Sequence, residues 1–107
     1  MLMEHENCPC METCPLNRAM ALIGGKWKMQ ILCSLYNNGP TRYNQLKKAL
    51  DGVSNTVLAN ALRELEGDGL VHRQEYLEVP VRVEYAITEP CRQLIPILDA
   101  LGDWSMA

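Results

Sequence analysis

The 107-residue sequence contains no phenylalanine and only two histidines. Without phenylalanine, the core volume must come from leucine, isoleucine, valine, methionine, two tryptophans and four tyrosines. Neither His5 nor His72 belongs to a recognisable serine–histidine–aspartate set, phosphate loop or pair of catalytic carboxylates. We therefore expect neither a catalytic site nor a cofactor, and the chain is not predicted to be an enzyme.

Long apolar runs are also missing. No stretch approaches the roughly 20 apolar residues that a membrane-spanning helix needs, so no membrane association is expected. The N-terminal segment MLMEHENCPC lacks a basic region followed by an apolar one, which argues against a secretory signal and favours a cytoplasmic protein. The length fits one domain, with residues 1–13 as a flexible N-terminal tail and residues 14–107 as the folded part.

An overall positive charge, the usual sign of nucleic-acid binding, is absent because the formal net charge is −3. The charges are unevenly distributed, however. Residues 15–63 carry seven basic side chains and one acidic one, whereas residues 64–107 carry three basic and nine acidic ones. Local charge governs the binding of a polyanion, so the basic middle segment is compatible with nucleic acid. On the charge pattern alone, a surface whose charges are unevenly distributed by chance is an equally good explanation.

Two helices are predicted in the first third of the chain. Pro15 suits the first position of one helix, and Gly24-Gly25 ends it. The second runs from about Lys26 to Tyr36 and is apolar on nearly all sides, which favours a central position or an interface. The sequence Asn37-Asn38-Gly39-Pro40 then stops it.

The next segment has the pattern of a helix-turn-helix. A short helix is predicted from Arg42 to Leu50, and Asp51-Gly52-Val53 forms a tight turn. Ser54 is a good N-cap for a following helix that runs to Glu66. Helix, short glycine-containing turn and helix together make the helix-turn-helix plan.

The helix after Ser54 has two different sides. Its apolar stripe predicts the inward face and consists of Val57, Leu58, Ala61, Leu62 and Leu65. Its outward face has small or polar residues and one base, namely Thr56, Ala59, Asn60 and Arg63. Short hydrogen-bonding side chains and an arginine are what base edges and phosphates in a major groove require. An ordinary solvent-exposed face is the alternative interpretation.

Two β-prone runs follow, Leu70–Tyr76 and Val81–Thr88, joined by a tip at Leu77–Pro80. A two-stranded hairpin is not stable alone in water, so it must pack on the helices. A hairpin after a helix-turn-helix is a wing, and its arginines are candidates for sugar-phosphate contacts. The complete candidate set for DNA binding is Arg42, Ser54, Asn55, Thr56, Asn60, Arg63, Arg73 and Arg82.

The last predicted helix begins at Thr88 as its N-cap, and Pro96 within it predicts a bend near Arg92–Pro96. Its long apolar stripe consists of Leu94, Ile97, Leu98, Leu101 and Trp104. In so small a domain this stripe favours a homodimer contact, with packing on its own domain as the alternative. The predicted fold class is α+β and mostly helical: a winged helix-turn-helix with a two-stranded β-hairpin wing and dimerisation helices at both ends.

These segments resemble the HxlR-type transcriptional regulators, winged-helix relatives of the MarR group. The matching motifs span residues 14 to about 104 and occur in the same order. They are Cys14-Pro15, Ile23-Gly24-Gly25-Lys26-Trp27, Arg42-Tyr43-Asn44-Gln45-Leu46, Leu62-Arg63-Glu64-Leu65-Glu66, Asp68-Gly69-Leu70-Val71, Val79-Pro80-Val81-Arg82-Val83-Glu84-Tyr85 and Ile87-Thr88-Glu89.

The resemblance implies a homodimer that binds an inverted-repeat operator in double-stranded DNA. The helix after Ser54 would enter the major groove, and the wing would lie on the neighbouring minor groove. The chain departs from the family in three places. Cys91 stands where the family usually has glycine, Cys8 and Cys10 lie outside the usual pattern, and the last helix ends soon after Trp104.

Five cysteines in a chain expected to be cytoplasmic disfavour a structural disulfide framework. In the family, the cysteine equivalent to Cys14 often senses oxidants or electrophiles. A helix N-terminus and the nearby Arg18 would both favour the thiolate, so Cys14 is the candidate redox-sensing residue and is expected to be partly exposed. A structural cysteine that packs under Pro15 is the alternative.

The N-terminal cysteines and a histidine allow another hypothesis. His5, Cys8, Cys10 and Cys14 are four soft ligands within ten residues and are suited to zinc or an iron–sulfur cluster. The C-x-C spacing is less usual for such a site than C-x2-C, so no metal is assigned and this set remains an alternative.

Overall fold

The computed structural model describes residues 14–107, in which the chain forms six helices and three strands. This architecture confirms the predicted winged helix-turn-helix of mostly helical α+β class, while the predicted tail at residues 1–13 lies outside the described part. The elements are α1 (Pro15–Ile23), α2 (Lys28–Asn38), β1 (Thr41–Arg42), α3 (Tyr43–Ala49), α4 (Asn55–Gly67), β2 (Val71–Tyr76), β3 (Arg82–Ile87), α5 (Glu89–Arg92) and α6 (Ile95–Met106).

The helix ends follow local side-chain chemistry. Pro15 occupies the first turn of α1, and the helix stops at Gly24, where an added Cβ would clash with the Met20 carbonyl oxygen. The Ser54 hydroxyl accepts a hydrogen bond of 3.1 Å from the Val57 N–H and caps α4. The Thr88 hydroxyl caps α5 in the same way, accepting from the Cys91 N–H at 3.3 Å. Both predicted N-caps are therefore confirmed.

The wing belongs to a three-stranded antiparallel sheet of order β1-β3-β2, whereas the sequence predicted a hairpin of two strands. β2 and β3 pair from Val71 opposite Ile87 to Tyr76 opposite Arg82. The additional strand pairs Arg42 with Glu84, so the prediction that the third helix begins at Arg42 was wrong. Pro40 precedes this short strand, and two residues are too few for alternation to be visible in a sequence.

The core lies where α2, α3 and α4 meet the sheet. α2 contributes Ile31, Leu32 and Leu35 and packs against α3, α4 and β3, which confirms its predicted central position. Burial of each large aliphatic side chain stabilises the fold by roughly 1.5–3 kcal/mol. The most completely buried side chains are Ile31, Leu32, Leu35, Leu46, Leu58, Leu62, Leu65, Val71 and Cys91.

The two terminal helices contribute little to the core. Ile23 is the buried residue of α1 and Ile95 that of α6, and Leu98 of α6 packs against the core from its edge. The break between α5 and α6 falls at Gln93 and Leu94, which confirms the predicted bend. Neither these helices nor any other in the described part is long and apolar enough to cross a membrane.

Candidate nucleic-acid interface

α4 presents a polar face because its apolar residues are fixed in the core. Leu58, Leu62 and Leu65 are buried, and Thr56, Asn60 and Arg63 are exposed as predicted. Val57 was expected on the inward stripe, yet its side chain is 42% exposed. Position 57 is about 100° around the helix from Leu58, which carries Val57 to the edge of the buried stripe.

Arg63 and Asn60 form a pair on this outward face. The Arg63 Nη1 donates a hydrogen bond of 2.8 Å to the Asn60 Oδ1, one helical turn earlier. The bond restrains a long side chain that would otherwise sample many rotamers. Both groups keep other donors free, so the pair can present an amide and a guanidinium to base edges together.

The first turn of α4 is held from two directions. Besides the Ser54 cap, the Tyr43 hydroxyl lies 3.2 Å from both the backbone carbonyl oxygen and the side-chain Oδ1 of Asn55. This contact ties α3 to the start of α4 and fixes the angle of the helix-turn-helix. Ser54 caps α4 as the sequence predicted. Asn55, which the sequence suggested only as a DNA ligand, also helps to hold α3 against α4.

A cavity of about 210 Å³ separates α4 from the sheet and brings two predicted arginines together. Arg63 enters it from α4 and Arg73 from β2, while Glu66 supplies one acidic group. Tyr43 and Tyr85 complete its polar lining. Sequence reasoning named both arginines but missed the tyrosines, because they belong to different elements and share no spacing along the chain.

The other wing arginine is occupied by its own strand neighbours. Arg82 lies over the Tyr76 ring at 4.0 Å, and its guanidinium contacts Glu78 at 2.9 Å and Glu84 at 3.4 Å. Its side chain is only 27% exposed. The Arg82 Nε is also buried, with no hydrogen-bond partner among the described residues. Arg82 is thus directed at protein carboxylates, and a phosphate would have to replace one of them.

Arg42 and Arg73 are more accessible. Arg42 is exposed, and its backbone N–H donates to the Gln45 Oε1 at 3.3 Å, which helps to start α3. Arg73 pairs loosely with Glu75 at 3.6 Å. Such exposed pairs contribute little to stability, so the guanidinium of Arg73 can exchange its partner at small cost.

The cysteines differ from the sequence-based expectation. Cys14 is only 4% exposed and is disulfide-bonded, so the expected partly exposed thiol was wrong. Cys33 is an exposed free thiol, and Cys91 is a buried one. Burial raises the pKa of the Cys91 thiol, which favours the protonated and less reactive form.

The metal hypothesis gains no support from the described residues. Between residues 14 and 107 no group of three or more histidine, cysteine, aspartate or glutamate side chains could hold a metal ion. The other members of the proposed set, His5, Cys8 and Cys10, lie outside this range. As half of a disulfide, Cys14 has no thiolate to offer a metal.

Comparison with known proteins agrees with this geometry. The protein YdzF of Bacillus subtilis strain 168, named an uncharacterized HTH-type transcriptional regulator, is 41% identical over 93 residues, covering 87% of this chain and 85% of YdzF. The oxidised form of the redox regulator HypR is 38% identical, with a TM-score of 0.80 over 87% of this chain and 95% of HypR. Reduced YodB from B. subtilis is 32% identical, with a TM-score of 0.79 over 87% of this chain and 91% of YodB.

The fold and these relatives define the class: the protein is a transcriptional regulator of the helix-turn-helix type. Residues 22–107 match the profile of the HxlR-like helix-turn-helix family, and the chain belongs to that family. The resemblance seen in the sequence motifs is confirmed. The relatives are regulators and not enzymes, in agreement with the expectation from the sequence.

Proposed function

We propose that this protein is a homodimer that recognises an inverted-repeat operator in double-stranded DNA by inserting α4 into the major groove. The observation that carries the proposal is the exposed face of Thr56, Asn60 and Arg63 on a helix whose opposite side is locked in the core. Asn60 and Arg63 read base edges, and their mutual hydrogen bond orients both.

Backbone contacts come from the elements around α4. Arg73 lines the cavity beside α4 and reaches a phosphate from the wing side. Arg42 is exposed at the start of α3 and can do the same. Arg82 joins them only when a phosphate displaces Glu78 or Glu84, so we assign it a weaker role.

The dimer is proposed to form through α1 and α6. Each carries large apolar side chains in contact with water, with Trp104 75% and Met106 86% exposed. Exposed apolar surface of this kind on terminal helices is typical of a subunit interface. The side chains concerned are Leu16, Met20 and Leu22 on α1, and Ile97, Leu101, Trp104 and Met106 on α6.

Control of DNA binding is proposed to depend on the oxidation state of Cys14. Two considerations support this: Cys14 is disulfide-bonded at the start of α1, and the relative HypR is a redox regulator. A dithiol reductant would convert the disulfide to two thiols and would itself become a disulfide. Because α1 belongs to the proposed dimer interface, the change would act on subunit geometry.

The function is tested by measuring binding of the purified protein to the DNA upstream of its own gene, with an unrelated duplex of equal length as control. We expect tighter binding to the upstream fragment, with an affinity that falls steeply as salt rises. Equal binding to both duplexes, or none, by folded protein would contradict the proposal.

The redox switch is tested by repeating the titration with and without dithiothreitol. The wild-type affinity should differ between the two states, and Cys14→Ser should give one affinity in both. Cys33→Ser is the matched control and should respond like the wild type. A redox response that persists in Cys14→Ser would assign sensing to another residue.

A further inference from the structure

A second cavity, of about 260 Å³, lies on the flank of α4 that faces the α1–α2 junction. The junction supplies Lys26, Trp27 and Lys28 to its lining, and α4 supplies Asn60 and Glu64. This flank is distinct from the one that carries Arg63 and Arg73, since the two cavities share no lining residue. Neither lysine belongs to the DNA-binding set predicted from the sequence.

The charges of this cavity resemble those on the wing side. Two ammonium groups stand against one carboxylate here, as two guanidinium groups stand against Glu66 in the other cavity. The Lys28 Nζ pairs with the Glu64 Oε1 at 2.7 Å, and this hydrogen bond holds the pKa of Glu64 below its ordinary value. The Lys28 side chain is also only 14% exposed. Because it is largely buried and already paired with Glu64, Lys28 is less available to another anion.

Lys26 has no such partner. Its Nζ lies over the Trp27 ring at 4.8 Å, and no carboxylate of residues 14–107 lies within ion-pair distance of it. The aromatic face positions the ammonium without neutralising its charge. The exposed Lys26 ammonium, which lies beside the outward face of α4, is therefore available to bind an anion.

We propose that Lys26 binds a DNA backbone phosphate on the flank of α4 opposite the wing. The inference rests on the proposed insertion of α4 into the major groove. That groove is about 12 Å wide and is bounded by a phosphate backbone on each side. The wing-side cavity serves one backbone, and the Lys26 cavity lies where the other passes. Asn60 lies on the outward face of α4 and also lines this cavity. The proposed base contact of Asn60 and the proposed phosphate contact of Lys26 are therefore adjacent.

Glu64 sets the strength of this contact. Its carboxylate is 62% exposed and lines the cavity together with Lys28. A phosphate that approaches the cavity meets one repelling charge and one lysine that is already paired. Removal of the Glu64 charge therefore leaves two lysines for the phosphate and is expected to strengthen binding.

The test compares Lys26→Gln with wild type on the upstream fragment and on an unrelated duplex at several salt concentrations. Because the proposed homodimer would lose one phosphate contact in each subunit, binding should weaken several-fold on both duplexes. The slope of log K against log salt should fall by about 1.8, which is about 0.9 for each contact. Arg92→Gln, an exposed base on α5 outside both cavities, is the control and should leave the slope unchanged. Glu64→Gln should tighten binding to both duplexes.

The outcomes separate this inference from the proposed function. If wild type prefers the upstream fragment but Lys26→Gln keeps the wild-type slope, the phosphate contact is overturned and the regulator remains. A loss confined to the upstream fragment would make Lys26 a base contact and would also overturn it. If wild type binds neither duplex, the proposed function fails, and this inference fails with it. Far-UV circular dichroism of each variant confirms that the fold is retained.

Discussion

At the residue scale, Arg63 links the two parts of the interface. It donates to Asn60 on the outward face of α4 and also lines the cavity that contains Arg73. It is exposed, so its replacement removes no core packing. Arg63 is consequently a position where DNA binding can be altered with little effect on folding.

We expect Arg63→Ala to weaken binding to the upstream fragment by about 1–3 kcal/mol for each subunit, because one bidentate contact to a base edge is worth that much. Fluorescence anisotropy with labelled duplex measures the change. Arg92→Ala serves as a matched arginine control and should bind as the wild type does. An equal loss on every duplex would show that Arg63 contacts phosphate and reads no base.

Ser54 has a different task, since its hydroxyl already caps α4. We expect Ser54→Ala to lower the free energy of unfolding by about 1 kcal/mol, whereas Ser54→Asp retains a capping oxygen and most of the stability. Urea denaturation followed by circular dichroism measures both variants. Equal destabilisation by alanine and aspartate would show that the cap does not hold this helix.

At the element scale, the helix ends were predictable because their signals are local. Pro15, Gly24, Ser54 and Thr88 each act on a neighbouring turn, and a single residue type is enough to mark the boundary. The break before α6 was predictable for the same reason, since Pro96 lacks the N–H of a continuing helix. β1 was missed because its pairing depends on Glu84 and Tyr85, more than 40 residues away.

The α6 helix is the element on which the dimer proposal depends. We expect Leu101→Asp to give a monomer at micromolar concentrations at which the wild type is a dimer, because it places a charge in the buried interface. Light scattering after gel filtration gives the mass directly. Asp103→Asn, on the same helix, should leave the dimer intact. A wild-type monomer, or a dimeric Leu101→Asp, would remove α6 from the interface.

At the scale of the whole molecule, the candidate DNA interface is built from several elements and cannot be identified from any single segment of the sequence. The wing-side cavity collects Tyr43 from α3, Arg63 from α4, and Arg73 and Tyr85 from the sheet. Sequence patterns identify an outward face, because periodicity is local. They do not show that Arg82 is turned toward Glu78 and Glu84, because that arrangement depends on the tertiary fold.

The uneven charge distribution along the chain corresponds to a concentration of basic side chains around α4. The chain is acidic overall, yet the basic residues between positions 15 and 63 include Lys26 and Lys28 on one flank of α4 and Arg63 on the other. The acidic residues after position 63 include Glu78 and Glu84, which neutralise Arg82 in the wing. Net charge was therefore a poor guide to the partner, while local charge beside α4 supports DNA.

The most direct test of the central claim is hydroxyl-radical footprinting of the purified protein on the DNA upstream of its own gene. A homodimer that inserts one α4 per subunit should protect two half-sites related by two-fold symmetry. Their centres should be about 10–10.5 base pairs apart or a multiple of this spacing. Protection that lacks this symmetry, or no protection under conditions in which the protein is folded and dimeric, would contradict the account.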